Sequence, residues 1–380
     1  MKHINLNPNI NLSYWELKTW LSDIDFTVVG SGIVGMNCAI HLKKQHPKAN
    51  ILILEKGLLP QGASTKNAGF ACFGSLSEIV DDLNHHSEDE VLNLVKKRID
   101  GLQLLRQTLG DKAINYQELG GYELFLEKDK AFFESTLAQK ERINKLLFPL
   151  FNADVFSLKD NHFDFENTLQ HLSFNQFEGQ IDTGKMMSSL LQLALKNDIK
   201  ILNQITLESF TETADKVHLK TNLFEFETSH LFIATNGFAS QLLDENVQPA
   251  RAQVLITKPI KDLQIKGTFH LDKGYYYFRN IDNRILFGGG RNLDIEGETT
   301  TELNQTSLIQ NSLEQLLKTT IIPNTPFEIE HRWSGIMGVG QQKKAIVKPV
   351  SNRVFCGVRL GGMGVAIGSL VGRELAELIE

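Results

Sequence analysis

The pattern of apolar and polar residues predicts a βαβ unit near the start of the chain. Residues 26–29 form a short apolar run, and a glycine-rich segment with the spacing GxGxxG follows at residues 30–35. Apolar residues then recur at helical spacing, and a second apolar run occupies residues 51–54. A strand, a glycine-rich turn, a helix and a second strand in this order are typical of a site for the phosphates of a dinucleotide.

Each glycine of this segment has a physical role in such a site. Gly30 allows the tight turn out of the strand, Gly32 lets the backbone approach a pyrophosphate, and Gly35 lets the helix pack closely on the strand. The N–H groups at the helix start, at Ile33 and Val34, favour a negatively charged group because they point along the positive end of the helix dipole.

The second strand ends in Glu55, followed by Lys56. An acidic residue at this place, 25 positions after Gly30, suits hydrogen bonds to ribose hydroxyls and disfavours a cofactor that carries a 2′-phosphate. We therefore expect both residues to lie at the bound nucleotide.

Further along the chain, the hydrophobic pattern changes character twice. Helical periods give way to alternating strand-like segments near residue 111 and again near residue 251. We expect an α/β protein with two domains, a Rossmann-like nucleotide-binding domain with a parallel sheet and a β-rich antiparallel substrate domain. The predicted ranges are 1–110, 176–250 and 325–380 for the first domain, and 111–175 and 251–324 for the second.

The same pattern predicts individual helices. They are expected over residues 14–21, 76–109, 130–147, 183–195 and 302–318.

Composition narrows the class of protein. The 380 residues include 42% hydrophobic and 22% charged residues and carry a net charge of −6, values of an ordinary globular protein without a basic tract for nucleic acid. Three scattered cysteines predict neither a disulfide framework nor a metal site. The sequence shows no secretion signal and no span for a membrane, so a cytoplasmic protein is expected.

Four segments together carry a family resemblance. They are the βαβ start, the loop from Gly62 to Gly69, the strand end from Ala234 to Gly237, and the glycine-rich segment from Gly357 to Gly372. In this order they resemble the D-amino-acid oxidase-like family of FAD-dependent oxidoreductases, which includes glycine and sarcosine oxidases. The resemblance implies FAD as the cofactor.

The resemblance also implies which residues hold the flavin. The 62–69 loop runs beside the isoalloxazine ring, the 234–237 segment passes near the adenine and phosphates, and the turn before the last helix faces the ring. Besides the residues named above, the implied contacts are Ala63, Ser64, Thr65, Asn67, Ala68, Gly69, Ala234, Thr235, Gly237, Arg332, Gly335, Gly361, Gly362, Met363, Gly364, Val365 and Ala366.

Substrate contacts are expected from two strands and the last turn. Residues 275–279 alternate, so Tyr275 and Tyr277 face one way and Tyr276 the other. Arg332 and Trp333 lie in a strand that, in the family, brings substrate contacts to the flavin. Arg359 is a further candidate.

Several departures from the family bear on the substrate. The arginine that holds a carboxylate in amino-acid oxidases aligns with Met337, and the lysine of sarcosine-oxidase-like members aligns with Ala366. A buried carboxylate without a cation is costly. Either Arg332, Arg359, Arg279 or Arg291 replaces them, or the substrate is an amine without such a carboxylate, as the similarity to γ-glutamylputrescine oxidoreductase favours.

Two more departures concern the flavin. Residues 338–349 contain no cysteine, so the FAD is expected to be non-covalent. The lysine that activates oxygen in relatives is replaced within residues 285–287, which leaves the electron acceptor open between oxygen and another compound.

The resemblance therefore implies oxidation of the C–N bond of a small amine or amino acid, by hydride transfer to flavin N5 and hydrolysis of the imine. Three alternatives remain: a 2-hydroxy-acid dehydrogenase of the same fold, an FAD-dependent tRNA-modifying enzyme, which the charge disfavours, and a catalytically silent flavoprotein that serves as a binding module.

Overall fold

Two β-sheets and the helices that cover them form the protein. The computed structural model describes residues 4–7 and 10–379. Its strands are β1 (Asn5–Leu6), β2 (Ile24–Val29), β3 (Ile51–Glu55), β4 (Phe70–Ala71), β5 (Gly121–Leu124), β6 (Phe156–Asp160), β7 (His171–Asn175), β8 (Gly179–Gln180), β9 (Lys200–Asn203), β10 (Leu207–Glu212), β11 (Val217–Thr221), β12 (Phe224–Ile233), β13 (Gln248–Thr257), β14 (Thr268–Leu271), β15 (Tyr276–Ile281), β16 (Arg284–Gly289), β17 (Ile329–Val339), β18 (Ile346–Pro349) and β19 (Val354–Val358).

The helices lie mainly around the first sheet. They are α1 (Tyr14–Glu16), α2 (Ile33–Gln45), α3 (Ala63–Lys66), α4 (Leu76–Leu83), α5 (Glu88–Leu109), α6 (Asp111–Ile114), α7 (Lys130–Leu137), α8 (Lys140–Phe151), α9 (Thr183–Lys196), α10 (Ser307–Leu316) and α11 (Gly364–Ala376).

The first sheet has a parallel centre. Its strands follow the order β10-β11-β12-β2-β3-β9, and the end of β12 lies between β2 and β19, parallel to both. Strand β3 is buried at all five residues, as expected for a parallel strand covered by helices on both faces. On one face, α2 and α11 pack so closely that a Cβ atom at Gly372 would lie 2.6 Å from the Val34 carbonyl oxygen.

The second sheet is almost entirely antiparallel. Its order is β17-β13-β16-β15-β14-β5-β7-β6, and only the β14–β5 pair is parallel within the described residues. One face packs against α10 in an apolar core with many aromatic residues, where the Phe269 and Phe278 rings stack at 4.6 Å. The predicted fold class, a Rossmann-like domain plus a β-rich antiparallel domain, is confirmed.

Three predicted helices differ from the structure. The segment 76–109 forms two helices, α4 and α5, because Ser75 and Ser87 each begin a new helix with a capping box. The segment 130–147 likewise divides into α7 and α8. The predicted helix 302–318 begins only at Ser307 and ends in a π-helical turn at 317–321.

The last expected domain boundary also differs from the sheet pairing. Strand β17 was assigned to the nucleotide-binding domain, which was expected to resume at residue 325. It pairs instead with β13 in the antiparallel sheet, from Gln248 opposite Val339 to Thr257 opposite Ile329. The family resemblance predicted a strand here but did not show which sheet it would join.

Among the described helices, none is long and apolar enough to cross a membrane.

Candidate active site

A cavity of about 850 Å³ lies between the two sheets. Leu54 and Ala234, at the carboxyl ends of parallel strands, form one wall, and Tyr277 and Gly289 of the antiparallel sheet form another. Ligands of open α/β sheets bind at such strand ends. The volume is near the upper end of the range of about 300–1,000 Å³ for small-molecule sites.

The glycine-rich turn lies at this cavity with the geometry that the sequence predicts. Gly30 has a φ of +103°, and a Cβ atom there would lie 2.8 Å from the Ala234 carbonyl oxygen. Gly30, Gly32, Ile33 and Val34 line the cavity. Gly35 lies behind them, where an added Cβ atom would lie 1.9 Å from the Gly30 carbonyl oxygen; its role is close helix–strand packing.

Glu55 lies in the wall beside this turn, together with Lys56. Its carboxylate accepts hydrogen bonds from the Ser31 backbone N–H at 3.1 Å and from the Ser31 hydroxyl at 2.6 Å, and the Gly57 N–H donates to its other oxygen. These bonds hold the Glu55 side chain in place at the position predicted for the ribose.

The 62–69 loop is joined to the phosphate turn by one side chain. The Ser64 hydroxyl accepts a hydrogen bond from the Ile33 N–H at 2.9 Å. Ala63, Ser64, Asn67 and Ala68 line the cavity. Two predicted contacts do not: the Thr65 hydroxyl donates to the Pro60 carbonyl, and Gly69 accepts from Arg279 on the far side of the loop.

The two remaining predicted segments approach the cavity from the first sheet. Ala234 and Thr235 line it, as do Gly361, Gly362, Met363, Gly364 and Val365. Gly237 does not, because its Cα packs against β17. Ala366 lies outside the cavity as well, since its carbonyl is in close contact with Gly101 of α5.

On the substrate side, the predicted alternation of the tyrosines holds in the structure. Tyr275 and Tyr277 line the cavity, whereas Tyr276 points into the opposite core and its hydroxyl lies 3.3 Å from that of Ser312. Burial raises the pKa of Tyr277 to about 12, so its phenol stays protonated at neutral pH.

Three other predicted pocket residues lie outside the cavity, and Arg332 was also expected to bind the cofactor. Arg332 and Trp333 occupy opposite faces of β17. Arg332 faces α10, where it binds Gln310 and Glu314 at 2.6 and 2.7 Å. Trp333 donates to the Lys66 carbonyl at 2.9 Å and so supports the 62–69 loop from behind.

Arg359 also points away from the cavity. Its guanidinium donates to the backbone carbonyls of Lys344 and Asn246. Further along β17, Gly335 does line the cavity, and so does Met337, the residue at the aligned carboxylate-binding position.

Several residues of the cavity wall were not among the predicted contacts. They include Phe70, Cys72, Glu78, Asp81, His270, Lys273 and Lys343. Lys273 forms an ion pair with Asp81 at 3.2 Å, and Lys343 pairs with Asp82. Arg291, one of the four arginines considered from the sequence for a substrate carboxylate, also lines the cavity, whereas nothing in the sequence marks His270.

The backbone at the cavity fits an anionic dinucleotide. Helices α2 and α11 both begin at its wall, and in the described part of the chain neither N-cap residue, Gly32 or Met363, caps its helix with a side chain. Such helix starts carry partial positive charge, and their N–H groups, apart from that of Ile33, which donates to Ser64, can bind a pyrophosphate or an electron-rich ring oxygen. Together with Glu55 for a ribose, the residues present fit FAD.

Comparison with known proteins decides the family. The family described as FAD dependent oxidoreductase matches residues 25–378. This chain belongs to that family. Its members use FAD, and the chain is accordingly an FAD-dependent oxidoreductase.

Individual relatives are distant in sequence but alike over nearly the full length. The chain is 19% identical to a probable oxidoreductase of Haemophilus influenzae, covering 95% of this chain and 84% of the relative. It is 20% identical to gamma-glutamylputrescine oxidoreductase of Escherichia coli, covering 93% and 83%. The structure of glycine oxidase from Geobacillus kaustophilus superimposes with a TM-score of 0.74 at 18% identity, covering 93% and 94%.

Proposed function

We propose that this oxidoreductase oxidises the C–N bond of a small amine or amino acid bound beside the flavin. The single observation that carries the proposal is the continuity of the cavity, which joins the phosphate turn at Gly32 to the polar wall at Tyr275 and Arg291. Bound FAD supplies the chemistry, since it accepts a hydride from the carbon next to nitrogen. The similarity of this chain to a γ-glutamylputrescine oxidoreductase in sequence and to a glycine oxidase in structure supports this substrate class.

The protein's own contribution is to hold and orient the amine. Glu78 and Asp81 bring carboxylates to the wall, and Tyr275 and Tyr277 bring aromatic surface. Carboxylates favour a cationic ammonium, and the aromatic faces pack against the carbon chain. Water hydrolyses the imine product after it forms.

Arg291 is our candidate for holding a substrate carboxylate. Of the four arginines considered from the sequence, Arg332 pairs with a glutamate, and Arg279 and Arg359 donate to backbone carbonyls. Arg291 lies in the cavity wall, and no side-chain hydrogen bond or ion pair to it is seen among the described residues. A guanidinium can bind a carboxylate through two hydrogen bonds.

We further propose that the electron acceptor is a compound other than oxygen. The strand position of the oxygen-activating lysine falls within residues 285–287, which are buried apolar side chains. A cation that stabilises reduced oxygen is therefore missing from this part of β16.

The non-covalent attachment of FAD is also a proposal. Cys72 is the cysteine that lines the cavity among the described residues. Burial raises the pKa of its thiol well above the usual range, and Glu178 and Glu78 raise it further. The thiol is therefore protonated at neutral pH and a poor nucleophile toward the flavin.

The test is product analysis with an artificial acceptor. The purified enzyme is mixed with the dye dichlorophenolindophenol and one candidate substrate at a time. The candidates are γ-glutamylputrescine, glycine, other small amines and L-lactate. We expect bleaching of the dye with an amine and one aldehyde or keto acid, trapped as its hydrazone, per dye reduced. Turnover of L-lactate alone would contradict the proposal and favour hydroxy-acid oxidation.

A further inference from the structure

A row of polar side chains crosses three neighbouring strands of the antiparallel sheet, from the cavity into the interior. In the strand register, Tyr277 of β15 lies opposite His270 of β14, and His270 lies beside Glu123 of β5. Residues paired in this way project from the same face, and neighbouring strands lie about 4.8 Å apart. The row therefore brings a histidine and a buried carboxyl next to the cavity.

His270 is the unusual member of this row. Its side chain is only 6% exposed, and both ring nitrogens lack a hydrogen-bond partner among the described residues. The Phe70 ring packs edge-on against it, with the centroids 5.1 Å apart. A neutral imidazole has one N–H donor and one lone pair, and burying both without partners is costly, so the position of this side chain calls for an explanation such as a catalytic role.

His270 borders two spaces at once. One is the large cavity, and the other is a small space of about 10 Å³ that Glu123, Glu178, Ser173 and Asn175 also line. The Asn175 side-chain nitrogen is buried without a partner as well. A space of this size is close to the smallest that holds one water molecule, and His270 and the two carboxyls all border it.

Both carboxyls behind His270 are able to hold a proton near neutral pH. Glu123 accepts hydrogen bonds from Ser75 and Ser77, and Glu178 accepts them from the backbone N–H groups of residues 73 and 74. Burial nevertheless raises the pKa of Glu123 and of Glu178 to about 7. Between them and the cavity stands an imidazole whose pKa burial lowers.

We infer that His270 accepts the proton that the substrate ammonium loses in the cavity, and that Glu78, in the same cavity wall, stabilises the protonated imidazole. The inference rests on the proposed function. In this step an N–H bond of the ammonium breaks, its electron pair stays on nitrogen, and the proton bonds to the imidazole lone pair. The neutral amine can then release hydride from the adjacent carbon, because its lone pair forms the C=N bond.

The charged and titratable groups around His270 set the pH at which it works. Glu78 of α4, Glu123 of β5 and Glu178 across the small space are carboxyls, and Tyr277 of β15 is a protonated phenol. Burial lowers the pKa of the imidazole, and the charge of Glu78 raises it. His270 must be neutral to accept a proton, so flavin reduction should slow as the pH falls through its pKa.

The first test replaces His270 by Gln and measures anaerobic bleaching of the bound flavin. The probe is whichever of γ-glutamylputrescine, glycine and L-proline bleaches the wild-type flavin fastest. We expect the rate constant to fall about 100-fold at pH 7 and to recover at high pH, where the probe is already a neutral amine. His230→Gln is the matched control, because His230 also has a buried, unpartnered ring nitrogen but lies outside the cavity wall.

The second test replaces Glu78 by Gln, which keeps the shape of the side chain and removes the charge that raises the pKa of His270. Losing a neighbouring anion lowers the pKa of the imidazole, so the acid limb of the bleaching rate should move to lower pH. A purely structural role would scale the rate equally at every pH. If His270→Gln fails to fold, the pH profile of this second variant still tests the inference.

The outcomes separate the inference from the proposed function. If none of the three probes, and no other amine, bleaches the wild-type flavin, the proposed function fails and the inference falls with it. If an amine bleaches the wild-type flavin and both variants keep its rate and pH profile, the inference alone is wrong.

Discussion

The two halves of the cavity differ in which protein atoms form their walls. The half that fits FAD is formed largely by backbone, with glycines at residues 30, 32, 361 and 362 and two helix starts in its wall. The other half is formed by side chains, among them His270, Tyr275, Tyr277 and Arg291. Backbone recognises what every member of the family binds, whereas side chains can be exchanged one at a time and so determine the substrate.

The largest effect is expected in the backbone half, from Gly32→Val. A Cβ atom at Gly32 would lie 2.8 Å from the Ser64 hydroxyl oxygen, and a larger side chain would occupy the place of the pyrophosphate. We expect FAD binding to weaken at least about 100-fold, or roughly 3 kcal/mol. Flavin content after purification measures this, with the exposed Gly184→Val as the control. Purification of Gly32→Val with one FAD per chain would show that the phosphate site lies elsewhere.

In the side-chain half, Arg291→Met should raise KM for a carboxylate-bearing substrate without a similar loss of kcat. Hydrogen bonds to charged groups contribute about 1.5–3 kcal/mol, which corresponds to roughly 10- to 100-fold in KM. Arg284→Met is the matched control, since Arg284 pairs with Glu330 away from the cavity. An unchanged KM would mean that the substrate has no carboxylate at this place.

The buried carboxyls behind the side-chain half should make stability depend on pH. The folded pKa of Glu123, about 7, is raised above its usual value of 4.5 because burial disfavours the anion. Between these pH values the folded protein binds more protons than the unfolded chain, so its stability falls as the pH rises. We expect Glu123→Gln to remove up to about 3 kcal/mol of this fall between pH 5 and pH 8. Urea unfolding at pH 5 and pH 8 measures the free energy of unfolding of both proteins. An equal change between the two pH values for wild type and variant would contradict the prediction.

The smallest effect is expected for Arg332→Met, although the sequence placed Arg332 in the pocket. Its ion pair with Glu314 is about one-third exposed, and such pairs contribute at most about 1 kcal/mol. Substrate KM and FAD content should stay at the wild-type values. A large rise in KM would mean that Arg332 contacts the substrate, which would contradict its position outside the cavity wall.

The difference between the backbone half and the side-chain half of the cavity also explains which site residues could be predicted from the sequence. The phosphate turn was predictable because its three glycines lie within six residues of one another, at a spacing that is itself the signal for such a turn. Alternation predicted that Tyr275 and Tyr277 share one face of their strand, and in the structure both residues line the cavity.

Other positions depended on information that is not local. The family resemblance placed both Arg332 and Trp333 at the pocket, but the sequence did not show that α10 would cover one face of their strand and the 62–69 loop the other. His270 and Glu123 are 147 residues apart in sequence, and only the sheet order β15-β14-β5 brings them together. The break between α4 and α5 had a local signal, the capping boxes at Ser75 and Ser87, which the helical period of the apolar residues obscured.

The most direct test of the account is an anaerobic titration of the FAD-loaded enzyme with amines, followed by its visible spectrum. We predict that one equivalent of a suitable amine or amino acid, from a panel that includes γ-glutamylputrescine and glycine, bleaches the flavin of one chain. A flavin that stays oxidised with every amine and is bleached by a 2-hydroxy acid would contradict the account, and so would a purified protein that takes up no FAD.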